Sequence, residues 1–309
     1  MSENVNKDSR LSDPKIRGTM LVLLASLCLS TAPTVIKFGL NADVDPVTQL
    51  TLRLWIGALV LWIIFLMFQP EKLKIDRKGL IGCALAAGAN TISLGSFYIA
   101  VTYIEISVAT VIFSTFPMIA LLLLALKGER ITRLNFIRFG LALLGIYLLV
   151  GFAGEINFFG VGLVVITAIF FSLHITLIQW KLNHYPTRTI TAYILSFMSL
   201  YMGIVYFATG HGVPTMGAEG WGVVIYTGLV ATAIARFAMF AGIRHIGSGQ
   251  TALLGPLETL MAVVWAMIFL DERLTMVQIL GGLLILISAA LASLRKSVLP
   301  LKQRSIRKP

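Results

Sequence analysis

Apolar runs long enough to cross a bilayer recur along almost the whole chain, separated only by short polar breaks. A helix needs about 20 predominantly apolar residues to span the ~30 Å hydrocarbon layer. The chain of 309 residues is 57% hydrophobic and only 13% charged, against roughly 25% charged for a soluble domain. Its mean hydropathy is +0.88. The pattern predicts an all-α membrane protein of ten transmembrane helices, near 18–40, 46–69, 79–104, 106–126, 133–152, 158–181, 187–208, 218–244, 248–270 and 275–294. No room remains for a soluble domain. The first 17 residues mix Glu3, Asp8 and Asp13 with Lys7, Arg10, Lys15 and Arg17, and the first span is too long for a signal-peptide core, so the N-terminus is expected to be kept.

The net charge of +11 is a topology signal. If both termini are cytoplasmic, the inward connections and tails hold Lys72, Lys74, Arg77, Lys78, Lys127, Arg130, Lys181, Arg188 and the C-terminal run from Arg295 to Lys308. The outward connections carry Asp43, Asp45, Glu105, Glu155, Glu219, Asp271 and Glu272, with few cations. That is the positive-inside bias of membrane proteins. Without an aromatic-basic binding module, the basic excess does not indicate a nucleic-acid partner. The expected partners are the lipid bilayer, including anionic lipid at the C-terminal tail, and a small-molecule substrate. Cys28 and Cys83 fall within predicted spans and imply no disulfide.

The chain also repeats itself. Residues 108–133 read VATVIFSTFPMIALLLLALKGERITR and residues 251–276 read TALLGPLETLMAVVWAMIFLDERLTM, pairing Glu129-Arg130 with Glu272-Arg273. Each half carries five spans, an odd number, so the second copy enters the membrane from the opposite side. The expected division is a tail at 1–17, repeats at 18–152 and 153–294, and a basic cytoplasmic tail at 295–309. Inverted-topology repeats are a transporter architecture, although duplication alone also fits a non-transporting scaffold.

With these motifs in view, the chain resembles an EamA-type member of the drug/metabolite transporter superfamily over residues 18–294. The likeness is carried by KGERIT and LDERLT at paired span ends, TALLGPLETL, GLVATAIARFAMFAGIRHI, TAPTVIKFGL and LTLRLWIGALV. Where the family often has Trp-Gly in the first span, this chain has Leu29 to Thr31. The resemblance implies a gradient-driven permease of the cytoplasmic (inner) membrane, often an exporter, with a cavity between two five-helix halves.

A charged group at membrane depth costs about 2.5–3.5 kcal/mol on insertion scales and therefore needs a partner, a water-lined cavity or a route to the interface. Glu258 and Arg236 pass that filter most clearly. Counting from Ser248 and from Arg244 at 1.5 Å per residue places them roughly 15 and 12 Å deep. With HIGSG as a short turn between antiparallel neighbours, an Arg236–Glu258 ion pair is expected. Either the pair fixes the packing of two helices, or Glu258 exchanges a proton while Arg236 holds a substrate carboxylate or phosphate.

His174 has a pKa range suited to proton relay, or is a neutral histidine bonded to a neighbouring helix. Arg53 can snorkel to the headgroups or point into the cavity. Asn90 sits among small and polar residues that suit helix packing or solute binding. Pro256, beside Gly255, leaves carbonyls near Ala252 and Leu253 free, and Pro33 and Pro117 can act likewise. Lys37 is expected as an interface anchor, and Tyr98 and Tyr103 as interfacial aromatics.

Gly140, Gly145, Gly281 and Gly282 look like close-packing surfaces, compatible with a homodimer. No cofactor and no metal are expected, since no Cys or carboxylate lies at ligand spacing from His174. The absence of a phosphate loop, HExxH or nucleophile elbow speaks against an enzyme. The function expected is export of a small polar or amphipathic metabolite, an amino acid or related compound, by alternating access, with proton coupling through Glu258. An anionic sugar-phosphate or nucleotide exchanger and a drug efflux permease are the alternatives.

Overall fold

The structure is a computed structural model that describes residues 14–68, 74–126, 133–151, 157–252 and 255–296. Residues 1–13 and 297–309, Glu129-Arg130 and Glu155 lie outside the described residues. All regular structure among the described residues is helical. In chain order the helices are α1 (Pro14–Ser30), α2 (Ala32–Asn41), α3 (Pro46–Phe68), α4 (Arg77–Ala100), α5 (Ile106–Phe113), α6 (Phe116–Ala125), α7 (Arg133–Gly151) and α8 (Phe158–Lys181). They continue with α9 (Thr187–Ala208), α10 (Ala218–Gly228), a π-helical segment (Leu229–Ile234), α11 (Ala235–Ala252), α12 (Gly255–Phe269) and α13 (Met276–Lys296).

Among the described residues seven helical stretches are long and apolar enough to cross a bilayer: Ile16–Asn41, Pro46–Met67, Arg77–Ala100, Ile106–Leu123, Phe158–Lys181, Thr187–Ala208 and Ala218–Met239. The shorter apolar helices Phe136–Leu148, Leu257–Phe269 and Met276–Ser288 stand where the sequence predicts the fifth, ninth and tenth spans. The protein is a multi-pass membrane protein.

Two spans are broken, each just before a proline. α1 gives way to α2 at Thr31, two residues before Pro33, and α5 to α6 at Ser114 and Thr115, two residues before Pro117. Proline has no N–H to give the carbonyl four residues back. Hydroxyls bond carbonyls in the turn before each break: Ser30 Oγ donates to Leu27 O at 2.8 Å and Thr31 Oγ1 to Cys28 O at 2.9 Å. At the second break Ser114 Oγ donates to Val111 O at 2.7 Å and Thr115 Oγ1 to Ile112 O at 2.8 Å. In hydrocarbon no water is there to take an orphaned backbone group, so each break calls for partners within the protein.

Packing crosses from one half of the chain to the other. α1 lies along α11, α8 along α4, and α7 along α13. Close approach needs glycine at the contacts. A Cβ on Gly242 would stand 2.4 Å from Val22 Cγ2, and one on Gly18 2.5 Å from His245 Cβ. This long seam with α1 carries α11 helically through HIGSG to Ala252, where the sequence predicts a turn at 245–249. Tertiary burial overrides the local glycine signal. Likewise a Cβ on Gly145 would meet Gly281 O and Ile285 Cγ1 at 2.6 Å, while Gly140 has nothing within 4 Å. Gly145 and Gly281 are thus used within one chain, whereas Gly140 is not.

At one end of the bundle the α2–α3 turn is tied to the segment after α9. Asp45 caps α3, accepting from Val47 N and Thr48 N at 2.9 Å, and faces His211 Nε2 at 3.1 Å. His211 stacks on Tyr206 at 4.8 Å. Burial alone would raise the Asp45 carboxyl, but the Thr48 and Val47 hydrogen bonds and the His211 charge outweigh it and hold it below its ordinary value of 3.8.

Two stability predictions follow from these contacts. Gly145→Leu should overpack the α7–α13 seam by about 1–3 kcal/mol, seen as a lower melting temperature in detergent, with Gly140→Leu close to wild type. A carboxyl held low contributes stability present above its unfolded pKa and lost as pH falls through its folded value. Asp45→Asn should therefore lower the melting temperature by about 2–4 °C at pH 7, with the difference vanishing well below pH 3.8.

Candidate functional site: charged groups inside the bundle

Arg53 is held by elements from both halves. It lies on α3 and donates from Nε to Thr232 Oγ1 at 3.0 Å and from Nη1 to Tyr98 OH at 3.2 Å. Thr232 belongs to the π-helical segment, and its own hydroxyl donates to Thr227 O, five residues back, at 2.9 Å. A π turn inserts an extra residue and re-aims the side chains that follow it. Arg236 is the second residue after it.

Arg236 shares a helix face with buried Thr232, one turn earlier, yet is only half-buried itself. Among the described residues it makes no hydrogen bond or ion pair, and the charged groups within its electrostatic reach are Arg53 and His174. No anion stands beside it.

The expected Arg236–Glu258 ion pair is not formed. The pairs within 4.0 Å among the described residues are His211–Asp45 and Arg273–Asp271. The reason is packing: α1 takes the contact face of α11 and also packs against α12, so the two helices that follow each other in sequence are not close-packed neighbours. Trp265 Nε1 on α12 donates to Ser30 Oγ on α1 at 3.1 Å, fixing that arrangement.

With α11 helical to Ala252, Glu258 stands in the first turn of α12. There the unsatisfied N–H groups and dipole of the helix start favour a carboxylate. Glu258 is half-buried, aligned at helical spacing with buried Ala262 and Ala266, and has no described partner. Pro256 lies in the same turn, but its side chain and the two residues before α12 lie outside the described residues.

His174 is buried, with Nδ1 2.8 Å from Ala86 O and its ring 5.8 Å from that of Phe171. A carbonyl only accepts, so Nδ1 carries the proton. Asn90 is buried between α4 and α9, donating from Nδ2 to Met198 Sδ at 3.3 Å, while its Oδ1 has no partner. The structure thus ties Arg53 to Thr232 and Tyr98 and His174 to Ala86, gives Arg236 and Glu258 no described partner, and packs Asn90 between helices.

The same architecture occurs in known proteins. The model of the EamA-like transporter family matches residues 16–151 and again residues 158–294. The chain belongs to the EamA-like transporter family. An uncharacterized transporter of Bacillus subtilis, YcbK, is 22% identical over 277 residues, covering 85% of this chain and 88% of that protein. An uncharacterized transporter of Archaeoglobus fulgidus is 24% identical over 277 residues, covering 89% and 96%. A solved crystal structure shares the fold at TM-score 0.64 and 16% identity, covering 91% of this chain and 99% of that one.

In this EamA-like protein the acidic residue of the second span-end motif links the two family matches. Asp271 takes left-handed backbone, φ 55°, which Asp tolerates better than most residues. It turns the chain so that Glu272 reaches α5, where Oε1 accepts from Ile106 N at 2.7 Å and Oε2 from Ser107 N at 2.8 Å. Sequence reasoning put LDER at a helix end but could not see whose. Nearby, Lys37 Nζ donates to Val101 O at 2.6 Å, just past the end of α4, rather than anchoring at headgroups.

Tyr98 is likewise buried against Arg53, not interfacial, whereas Tyr103 is 48% exposed. Lys37, Glu105, Glu272, Asn157 and Gln278 line a cavity of about 1030 Å³ at this end. Burial and the Glu272 charge raise the Glu105 carboxyl, with Lys37 opposing them.

Glu272→Gln keeps the shape but loses the charge of a carboxylate capping two backbone donors. It should cost about 1–3 kcal/mol, measured as a lower melting temperature. The exposed Asp271→Asn, beside it, should cost far less.

Proposed function

We propose that this protein is a secondary transporter of the cytoplasmic membrane that exports a small polar or amphipathic metabolite, an amino acid or related compound, by alternating access between two halves. The observation that carries the reading is a pair of opposite charges, Arg236 and Glu258, each half-buried on an inward helix face and each without a described partner. Structural ions inside a membrane protein pair with one another. Unpaired ones facing open space suit a solute that brings its own charges.

The halves of this reading are 18–152 and 153–294, five spans each in opposite orientation, with both termini in the cytoplasm. Support for an inverted arrangement comes from the packing, in which the first span of each half lies on the third span of the other, α1 on α11 and α8 on α4, while the last spans α7 and α13 meet each other. Two such halves rocking about a shared site give inward-open and outward-open states of similar energy. The outward direction follows the family resemblance. Glu258 is the group proposed to exchange protons during the cycle.

Two interior cations, Arg53 and Arg236, neither with a described carboxylate partner, favour a second reading, exchange of an anionic sugar phosphate or nucleotide. One assay separates the two. Proteoliposomes with wild type or Glu258→Gln are loaded with amino acids and with sugar phosphates, with and without a pH gradient. The proposal expects gradient-driven amino-acid release by wild type and at least about tenfold less by the variant. Release of sugar phosphates alone would favour the exchanger; equal gradient-driven release by both proteins would remove Glu258 from the cycle.

A further inference from the structure

The end of the bundle that carries Glu272 is a boundary between two groups of helices. α4 and α5 both pack on α8, while α11 and α12 both pack on α1, so each group draws on both family matches. The groups meet where α12 packs against α5. Two polar contacts tie them beside the cavity of about 1030 Å³. Lys37, on α2, donates from Nζ to Val101 O at the end of α4, at 2.6 Å. Glu272, just past α12, accepts from Ile106 N at 2.7 Å and Ser107 N at 2.8 Å at the start of α5.

The Glu272 contact is built to part as well as to hold. Glu105 is the N-cap residue of α5, yet its side chain makes no capping bond, so the first donors of the helix depend on a carboxylate from another element. Both sides of the contact border the cavity: Glu272 lines it, and so do Glu105 and Val108, which flank Ile106 and Ser107 in the chain. Water entering from the cavity satisfies carboxylate and amides alike when they separate, which a backbone bond inside hydrocarbon does not allow. Behind the cap, Ser107 Oγ and Thr110 Oγ1, one turn apart on α5, are buried with no hydrogen-bond partner among the described residues. A buried hydroxyl left so is costly, and a seam that opens to water relieves it.

We infer that Glu272 on the start of α5 is a latch that closes this end of the bundle, and that Glu105 is its proton-controlled release. The Glu105 carboxyl has no hydrogen bond or ion pair among the described residues. The charged groups that border the cavity with it are Lys37 from α2 and Asp271, Glu272 and Arg273 from the connection after α12, the Arg273 guanidinium lying 3.7 Å from Asp271. Burial raises the Glu105 carboxyl most, the Glu272 charge adds to it, and Lys37 opposes both. An ionised Glu105 therefore repels Glu272 and loosens the latch, whereas a protonated one does not. Because docked Glu272 makes Glu105 hold its proton more tightly, acid must in return favour the docked state. What the latch gates rests on the transport reading above, under which this end faces the exterior and outside acid holds the carrier shut.

Thiol labelling in lipid nanodiscs tests this. Ser107→Cys, in a Cys28→Ala, Cys83→Ala background, places a thiol at a buried position behind the cap. Its rate with a charged, membrane-impermeant reagent is divided by that of Thr102→Cys, an exposed position on the same cavity, which removes the pH dependence of the reagent itself. The ratio should fall at least about fivefold from about pH 8 to about pH 5. Glu272→Gln should raise it at least about fivefold at neutral pH, and Glu105→Gln should hold it at the low, acid value at both pH values. Melting temperatures identify the folded proteins. A fixed structural cap would also expose Ser107→Cys when Glu272 is lost, but it would not respond to Glu105. If folded Glu272→Gln leaves the ratio unchanged, the latch is overturned. If Glu105→Gln keeps the parent's pH dependence, the proton-controlled release is overturned. The labelling uses no solute, so either failure leaves the transport reading standing, and a failed proteoliposome assay leaves the latch in place.

Discussion

Everything inside this bundle is governed by the rule that a backbone group in hydrocarbon must find its hydrogen bond within the protein. Among the described residues two spans are nonetheless interrupted next to a proline, and hydroxyls flank both breaks. Ser30 and Thr31 cover the first break, Ser114 and Thr115 the second. At the first break Thr31 also meets the Tyr226 hydroxyl at 3.0 Å, linking the break to α10 of the other family match. At the second, Ser172 reaches across to Phe116. The interruptions are thus contacts between halves, and the same residues that allow the helices to break decide where the two halves touch.

Interior charge follows the same economy of partners. Arg53 is satisfied by a threonine and a tyrosine, neutral groups that leave its positive charge uncompensated. Glu272 is satisfied by two backbone donors at a helix start and needs no cation. Glu258, also at a helix start, gains from the dipole but has no described donor. Arg236 has neither. A lone guanidinium is costly in a dry interior and tolerable in a wet one, which is the basis on which Arg236 enters the proposed site. The π-helical segment beside it gives a local reason for that placement.

Much of the fold was legible in the sequence because apolar run length is a one-dimensional signal. Helix limits such as 158–181 and 187–208 coincide with those read from hydropathy. The breaks were flagged by Pro33 and Pro117, and the paired KGER and LDER motifs pointed to a repeat that the family matches reproduce. What failed depended on lateral neighbours. An ion pair between Arg236 and Glu258 assumes that consecutive helices pack together, and α1 comes between. The turn at HIGSG is overridden by a glycine seam more than 200 residues away in sequence. Tyr98 looked interfacial because its partner, Arg53, lies on another helix. The π-helical segment has no hydropathy signature, and the Glu272 cap joins residues from separate spans, so neither could be read in advance.

The central claim is that Arg236 and Glu258 face a water-filled, solute-accessible space rather than packed protein. Cysteine accessibility addresses it directly, because the two native cysteines are buried and removable as Cys28→Ala and Cys83→Ala. In that background, Arg236→Cys and Glu258→Cys should react with a charged, membrane-impermeant thiol reagent, and a transported solute should slow the reaction at position 236. A cysteine at the lipid-facing Ile166 serves as the unreactive control. If neither interior cysteine reacts in folded protein, the charges are packed, and the account of an open site between the halves is wrong.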